Sequence, residues 1–133
     1  MYRISKMFGF SASHRLEGLP NNPDGSEHPC TRLHGHNYQV ELILSSYVLD
    51  EHGFVLDYRA MQPFKDFLNE KLDHRHLNDV IDVHPTAENL ARYLYEVAWA
   101  MFPMIDLGMF PGSGVSVRVS ETDATWAEHH RHE

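Results

Sequence analysis

The chain has 133 residues and a formal net charge of −8, with 42% hydrophobic and 11% aromatic residues. These values predict one globular domain over residues 1–133 and exclude a disordered chain. The acidic balance and the lack of a basic run argue against nucleic acid as a partner. The single cysteine allows no intrachain disulfide, and no apolar run approaches a membrane span, so we expect a cytoplasmic protein without a membrane partner.

The first segment, residues 2–14, alternates apolar and polar side chains, which predicts a β-strand. Its apolar parity includes Phe8, Phe10 and Ala12 and ends in His14. His14 is therefore expected on the covered face of the strand. An imidazole without a partner is costly there, and a bound metal would satisfy it.

Residues 17–33 contain several proline, glycine and asparagine residues and are predicted to form a long loop, a kind of segment that is often functional. The loop carries Cys30, four residues before His34. A lone cysteine is commonly a small buried apolar residue, but its polar, turn-rich surroundings favour a chemical role. Three nearby arginines are either solvated surface residues or contacts to an anionic substrate: Arg15, Arg32 and Arg75.

A second strand is predicted over residues 35–49, where apolar residues share the parity of His34 and His36. If the two strands form an antiparallel hairpin, the end of the first meets the start of the second. His14 then lies beside the other two histidines. Three neutral imidazoles with one open position are the ligand set of a catalytic zinc site.

Two helices are predicted next. The first covers residues 58–72, with Asp57 as its N-cap and Pro63 tolerated near its first turn. The second begins after Thr86, its predicted N-cap, and ends at Pro103. Their apolar residues recur at spacings of three and four, which is typical of helices that cover one face of a sheet.

The polar connection between the helices contains Asp73 next to His74. An aspartate beside a histidine can hold its tautomer or share a proton path with it. Spacing alone favours the other interpretation, a helix C-terminus whose cationic residues interact with the helix dipole. It leaves the first interpretation open.

The C-terminal part is predicted to contain a loop over residues 104–114, a strand over 115–120, a short strand over 125–128 and a frayed tail over 129–133. Glu121 continues the apolar parity of the third strand, where a buried carboxylate needs a partner. The fold class is therefore α+β, with a four-stranded antiparallel sheet and two helices on one face. Uncovered sheet edges favour oligomerisation by edge pairing.

Five motifs resemble the 6-pyruvoyl-tetrahydropterin synthase superfamily, and most closely its bacterial 6-carboxytetrahydropterin synthase branch. They are the segments 10–16, 30–36, 72–78, 85–90 and 117–122, in this order. The resemblance implies the tunnelling fold, in which three subunits join their sheets into a barrel. Two such trimers stack as a homo-hexamer with sites between subunits.

The same resemblance implies roles for individual residues. The metal ligands would be His14, His34 and His36, binding Zn²⁺. The proton-abstracting base would be Cys30, joined in proton transfer by Asp73 and His74 of its own or a neighbouring subunit. Glu121 would anchor the pterin, because a carboxylate can accept two parallel N–H bonds from the pterin edge. Further pterin contacts would be Thr86 and Thr122.

The implied substrate is a pterin triphosphate, 7,8-dihydroneopterin triphosphate. The implied products are 6-carboxy-5,6,7,8-tetrahydropterin, acetaldehyde and triphosphate, a step toward queuosine and related 7-deazapurines. Three residues separate Cys30 from His34, a spacing that in the resemblance marks this branch, whereas five mark the pyruvoyl branch. The alternatives are triphosphate elimination to 6-pyruvoyl-tetrahydropterin and a non-catalytic pterin- or metal-binding relative.

Overall fold

The computed structural model describes residues 1–103 and 114–130. These residues form a mixed sheet with the strand order β3-β1-β2-β4-β5, and two α-helices pack on it. The strands are β1 (Tyr2–His14), β2 (His34–Ser46), β3 (Arg75–His76), β4 (Gly114–Ser120) and β5 (Ala127–His130). The helices are α1 (Gln62–Lys71) and α2 (Ala87–Met101). The predicted α+β class is confirmed, with five strands in place of four.

The hairpin of β1 and β2 organises the sheet. The two strands pair antiparallel along their whole length, from Tyr2 opposite Ser46 to His14 opposite His34. One parity of both strands is buried against the helices, in a core that includes Phe8, Phe10, Val40, Leu42 and Leu44. The predicted hairpin is confirmed, although the second strand ends at Ser46 rather than at residue 49.

The strand that the sequence did not predict is β3, which pairs parallel to the end of β1. Ala12 lies opposite Arg75, and Ser13 lies opposite His76. A two-residue strand contains no periodicity, so the sequence indicated only a polar connection here. The pairing places the segment with Asp73 and His74 along the last residues of β1.

Both predicted helix caps are present, but the first helix is divided. Asp57 accepts a hydrogen bond from the Arg59 N–H at 2.9 Å and opens a 3₁₀ turn, Tyr58–Met61. The α-helix proper begins at Gln62, with Pro63 in its first turn. This position suits proline, because the first N–H groups of a helix have no partner within the helix.

The C-terminal strands differ from the prediction by a few residues. The predicted short strand lies two residues later, and His130 at its end pairs with Ser116. His129 packs its ring on Tyr95 at 4.8 Å. The prediction of a frayed tail is therefore wrong for these two histidines, while residues 131–133 lie outside the described range, as do residues 104–113 of the predicted loop. Neither described helix is long and apolar enough to cross a membrane.

Candidate metal centre and active site

Three imidazoles meet at the end of the β1–β2 hairpin. The ladder places His14 opposite His34, and His36 lies two residues further along on the same face. One ring nitrogen from each histidine lies within 4.8 Å of the other two. The structure thus brings together the three ligands that the sequence predicted.

Backbone carbonyl oxygens contact the Nδ1 atoms of two of these rings. His14 Nδ1 lies 2.7 Å from the Pro85 carbonyl oxygen, and His34 Nδ1 lies 2.7 Å from that of Arg32. A carbonyl oxygen only accepts, so each Nδ1 carries the proton and donates it. In a neutral imidazole the other nitrogen, Nε2, then presents a lone pair.

The two lone pairs face each other. His14 Nε2 and His34 Nε2 lie 2.9 Å apart. Two acceptors at this distance repel unless they share a cation. Burial is the main cause that lowers the pKa of His14, only partly opposed by the Pro85 carbonyl, so a shared proton is disfavoured there. A metal ion satisfies both nitrogens without protonating either ring.

The third ring, that of His36, also indicates a metal site. His36 Nε2 is buried and has no hydrogen-bond partner in the described part of the chain. The nearest carboxylate oxygen is Glu121 Oε2 at 3.8 Å, beyond hydrogen-bonding distance. The residues therefore fit a metal: three neutral ring nitrogens, two of them oriented by N–H···O=C bonds, as in known zinc sites.

Cys30 lies in a 3₁₀ turn, Pro29–Thr31, at the end of the long loop. The Leu16 N–H donates to the Cys30 carbonyl oxygen at 2.8 Å, which fastens the turn to the chain two residues after His14. The thiol is free and half-buried, and it is not part of the metal-binding cluster. The turn thus brings Cys30 toward the histidines without making it a ligand.

Asp73 and His74 form a fixed pair beside β1. Asp73 accepts from the Ser11 N–H with Oδ1 and from His74 Nδ1 with Oδ2, both at 2.8 Å. The hydrogen bond from the Ser11 N–H is the largest of the causes that lower the pKa of Asp73, followed by the hydrogen bond from the His74 side chain. His74 adopts a left-handed backbone, φ 59°, and donates its own N–H to the Ser11 carbonyl. The carboxylate therefore sets the tautomer of a mostly exposed ring.

This pair lies outside the group of close metal-binding atoms of its own chain. His74 lines an open groove of about 480 Å³ together with Ser11, Ser13, Asn37 and one member of the histidine cluster, His36. The side chains of Ser11 and Ser13 have the parity opposite to that of His14.

Glu121 follows β4 directly and is half-buried. The β2–β4 ladder ends with Gln39 opposite Ser120, so Glu121 comes next, opposite Tyr38. Thr122 is exposed, and its carbonyl accepts a hydrogen bond from the Ser120 hydroxyl. The predicted pterin-binding carboxylate therefore lies beside the histidine cluster.

Thr86 has a structural role that the sequence predicted separately. Its hydroxyl accepts the Asn89 N–H at 3.1 Å and caps α2. The preceding residue, Pro85, provides the carbonyl that holds His14. The turn before α2 thus contacts the candidate metal centre through the Pro85 carbonyl oxygen.

The arginines near the motifs make local contacts. Arg15 pairs with Glu17 at 3.8 Å, and Arg32 pairs with Glu27 at 3.6 Å. Arg75 donates to the carbonyl oxygen of Glu70 at 3.1 Å. All three side chains remain exposed.

Sequence reasoning missed several supporting groups of the site. The carbonyls of Pro85 and Arg32 leave no trace in a sequence, because every residue has a carbonyl. Asn78 binds the main chain of Arg15, immediately after His14, with both ends of its side-chain amide. Tyr38 shares the parity of the buried apolar residues of β2, and only the structure reveals that its hydroxyl has no hydrogen-bond partner among the described residues. Asn78 could have been found from its place at the end of the third of the five motifs.

Comparison with known proteins agrees with this geometry. The model of the family described as 6-pyruvoyl tetrahydropterin synthase matches residues 3–132. The chain is 27% identical over 125 residues to the 6-carboxy-5,6,7,8-tetrahydropterin synthase of Aquifex aeolicus, covering 71% of this chain and 77% of the relative. It is 30% identical over 139 residues to the 6-pyruvoyl tetrahydrobiopterin synthase of Homo sapiens, covering 91% and 86%.

A solved structure shows the same fold. The 6-pyruvoyl tetrahydropterin synthase of Caenorhabditis elegans superposes with a TM-score of 0.77 at 23% identity, over 98% of this chain and 96% of that one. The sheet and its two helices thus define a protein of the tunnelling fold. Within that class the chain belongs to the 6-pyruvoyl tetrahydropterin synthase family, whose members act on pterins.

Proposed function

We propose that the protein is a zinc-dependent 6-carboxy-5,6,7,8-tetrahydropterin synthase. It converts 7,8-dihydroneopterin triphosphate into 6-carboxy-5,6,7,8-tetrahydropterin, acetaldehyde and triphosphate, as a carbon–carbon lyase on the route to queuosine and related 7-deazapurines. The observation that carries the proposal is the cluster of three imidazoles whose lone pairs converge beside Glu121 and the Cys30 turn. The three-residue spacing between Cys30 and His34 and the name of the Aquifex relative support this branch.

His14, His34 and His36 would hold the zinc, which when bound would supply a Lewis acid that lowers the barrier to deprotonation next to the side-chain oxygens of the substrate. Cys30 takes the proton as general base. Its turn is fastened to Leu16, close to His14, while its thiol stays outside the ligand set. Three histidines are the protein's share of a catalytic zinc site, so the remaining position is left for substrate.

Asp73 and His74 complete the proton transfer. Asp73 keeps a proton on His74 Nδ1, so Nε2 of the exposed ring is free to accept or return a proton. Asp73 bonds to Ser11, whose side chain has the parity opposite to that of His14. Neither Asp73 nor His74 belongs to the close metal-binding group of its own chain, which supports an active site shared between subunits. We assign it to the neighbouring subunit's metal centre.

Glu121 anchors the pterin. Its carboxylate can accept two parallel N–H bonds from the 2-amino group and N3–H of the ring, and charge-assisted pairs of this kind are strong and geometrically specific. We assign Thr86 and Thr122 as further pterin contacts. The Thr86 oxygen already accepts from Asn89, which leaves its O–H hydrogen for a substrate acceptor.

The shared site requires an oligomer, and we propose a homo-hexamer built as a dimer of trimers. In the described part of the chain, β1 from Tyr2 to Ser11 pairs with a strand on one side only, and so does β5. Such edges invite pairing with another chain. Sedimentation at micromolar concentration should give a mass several times 15.4 kDa. A monomer would contradict the shared site.

Product analysis tests the reaction. Zinc-loaded protein is incubated with 7,8-dihydroneopterin triphosphate, the pterin products are identified by mass spectrometry, and acetaldehyde is followed with a coupled assay. We expect 6-carboxy-5,6,7,8-tetrahydropterin and acetaldehyde in equal amounts. A 6-pyruvoyl product without acetaldehyde would establish the second candidate, which the name of the human relative favours. A bound but unchanged pterin would indicate a non-catalytic relative.

A further inference from the structure

Two buried side-chain atoms in the described residues lack a hydrogen-bond partner: His36 Nε2 and Tyr38 Oη. They belong to alternate residues of the same strand and face the same side. The metal accounts for the first atom. The second needs an explanation of its own, because native proteins rarely bury a hydroxyl without a partner.

The Tyr38 ring leans toward the metal centre. The residue is 1% exposed, and its ring stacks on Phe10 with centroids 4.9 Å apart. Its centroid also lies 5.4 Å from that of His36 and 6.0 Å from that of His14. Phe10 pairs with Tyr38, and His14 pairs with His34 four residues further along β1. The rings of Tyr38 and His14 therefore meet by leaning toward each other along the strands.

Glu121 is the acceptor that the fold offers. It follows the last pair of the β2–β4 ladder and therefore lies opposite Tyr38 on the helix-covered face. It also lies 3.8 Å from His36 Nε2. Within the described residues, the carboxylate thus lies opposite Tyr38 in the sheet and close to His36 Nε2, and it is bonded to neither unpartnered atom.

We propose that Tyr38 is a positioning residue for Glu121. Once a metal takes the lone pair of His36, the Tyr38 hydroxyl donates to the Glu121 carboxylate and fixes its orientation. A carboxylate has about four acceptor positions, so both oxygens still face the two N–H donors of a pterin edge. This inference rests on the proposed role of Glu121 as the pterin anchor.

A double-mutant cycle between Tyr38→Phe and Glu121→Gln tests the contact without any pterin. Tyr38→Phe removes only the hydroxyl oxygen and keeps the ring that stacks on Phe10. Denaturant unfolding is measured on zinc-loaded proteins whose metal content has been determined. We expect Tyr38→Phe to lower the folded-to-unfolded ratio at least fivefold more in the wild-type background than in the Glu121→Gln background. Tyr93→Phe, the same deletion on α2 near Phe67, is the matched control and should show no such coupling.

A binding titration gives the functional readout, with neopterin as a fluorescent probe. Tyr38→Phe should weaken neopterin binding about tenfold in the wild-type background. In the Glu121→Gln background the same change should have little effect on neopterin binding. Additive effects in the unfolding cycle overturn the inference whatever reaction the protein catalyses. A wild-type protein that binds no pterin contradicts the proposed function, and the unfolding cycle still decides the role of Tyr38.

A crystal structure of the zinc-loaded wild-type protein answers the same question if a variant does not fold. A distance of about 2.7 Å between Tyr38 Oη and a Glu121 oxygen supports the inference. A separation beyond about 3.5 Å overturns it, because no hydrogen bond then exists.

Discussion

Asn78 pairs with the main chain of Arg15 through both ends of its side-chain amide. The Arg15 N–H donates to Asn78 Oδ1 at 3.0 Å, and Asn78 Nδ2 donates to the Arg15 carbonyl oxygen at 2.8 Å. This pairing extends the contact of β3 with β1 past the end of the strand. The main chain directly after His14 is thereby held as if by a neighbouring strand.

Asn78→Asp should destabilise the protein because it replaces one donor with an acceptor. The carboxylate can still accept the Arg15 N–H, but its other oxygen faces the Arg15 carbonyl. These bonds are exposed to solvent, so the loss of one of them should cost about 0.5–1.5 kcal/mol, which denaturant unfolding of the metal-free protein would measure. Asn22→Asp is the matched control, since that amide donates within the loop, to Ser26 Oγ and the Glu27 carbonyl. Equal losses for both variants would remove the special role of Asn78.

His34→Ala should abolish most metal binding, because it removes one of three ligands. Elemental analysis should find about one zinc per chain in the wild type and far less in the variant. The wild-type unfolding midpoint should also rise with added zinc, since a ligand that binds only the folded state stabilises it. His52→Ala changes an exposed histidine that contacts Glu51 and should leave both results unchanged. Full zinc retention by His34→Ala would contradict the proposed metal centre.

The position of the metal centre could be predicted because it depends on local alternation. The parity of β1 runs without a break from Phe8 to His14, and side chains of one parity face one side of a strand. Once β1 and β2 pair as a hairpin, His14 must meet His34. The sequence therefore located the three clustered histidines, which could hold a metal ion, before any contact was known.

The surroundings of the metal centre could not be predicted, because they depend on contacts between distant segments. The Pro85 carbonyl is 71 residues from His14, and Asn78 is 63 residues from Arg15. No periodicity links such segments, and a carbonyl has no sequence signature. The short strand β3 was missed for the same reason, since its pairing with Ala12 and Ser13 is its only strand character.

Thr86→Ala should reduce stability before it affects pterin binding. The hydroxyl caps α2 at the Asn89 N–H, and loss of such a cap typically costs about 1 kcal/mol. The change also loosens the turn next to Pro85, whose carbonyl holds His14. Thr86→Ser keeps the capping oxygen and should unfold like the wild type. If Thr86→Ser is as unstable as Thr86→Ala, the cap is not the cause.

Glu121→Gln should weaken pterin binding at least tenfold. The variant keeps the shape of the side chain but turns one acceptor into a donor that faces the donors of the pterin edge. Loss of a charge-assisted hydrogen bond costs roughly 1.5–3 kcal/mol, which corresponds to that change in affinity. Glu128→Gln provides a control on β5, where the carboxylate contacts Ser116. An unchanged affinity for Glu121→Gln would mean that the carboxylate serves another purpose.

Cys30→Ala should keep zinc and fold while losing most turnover. Three histidines already provide the protein's ligands, and the Cys30 turn is fastened through main-chain bonds that alanine also makes. General base catalysis typically contributes 10²–10⁴-fold, so the rate should fall by about that factor. Zinc content and product formation should be measured on the same preparation.

The combination of the two measurements separates the alternatives for Cys30. If zinc falls together with activity, the thiol is a metal ligand, which a cluster of three converging imidazoles does not require. If neither falls, the base lies elsewhere, and His74 is the next candidate because Asp73 leaves its Nε2 free to accept a proton. His74→Ala in the same assay would then show the larger loss, again with zinc retained, because His74 is not one of the close metal-binding residues.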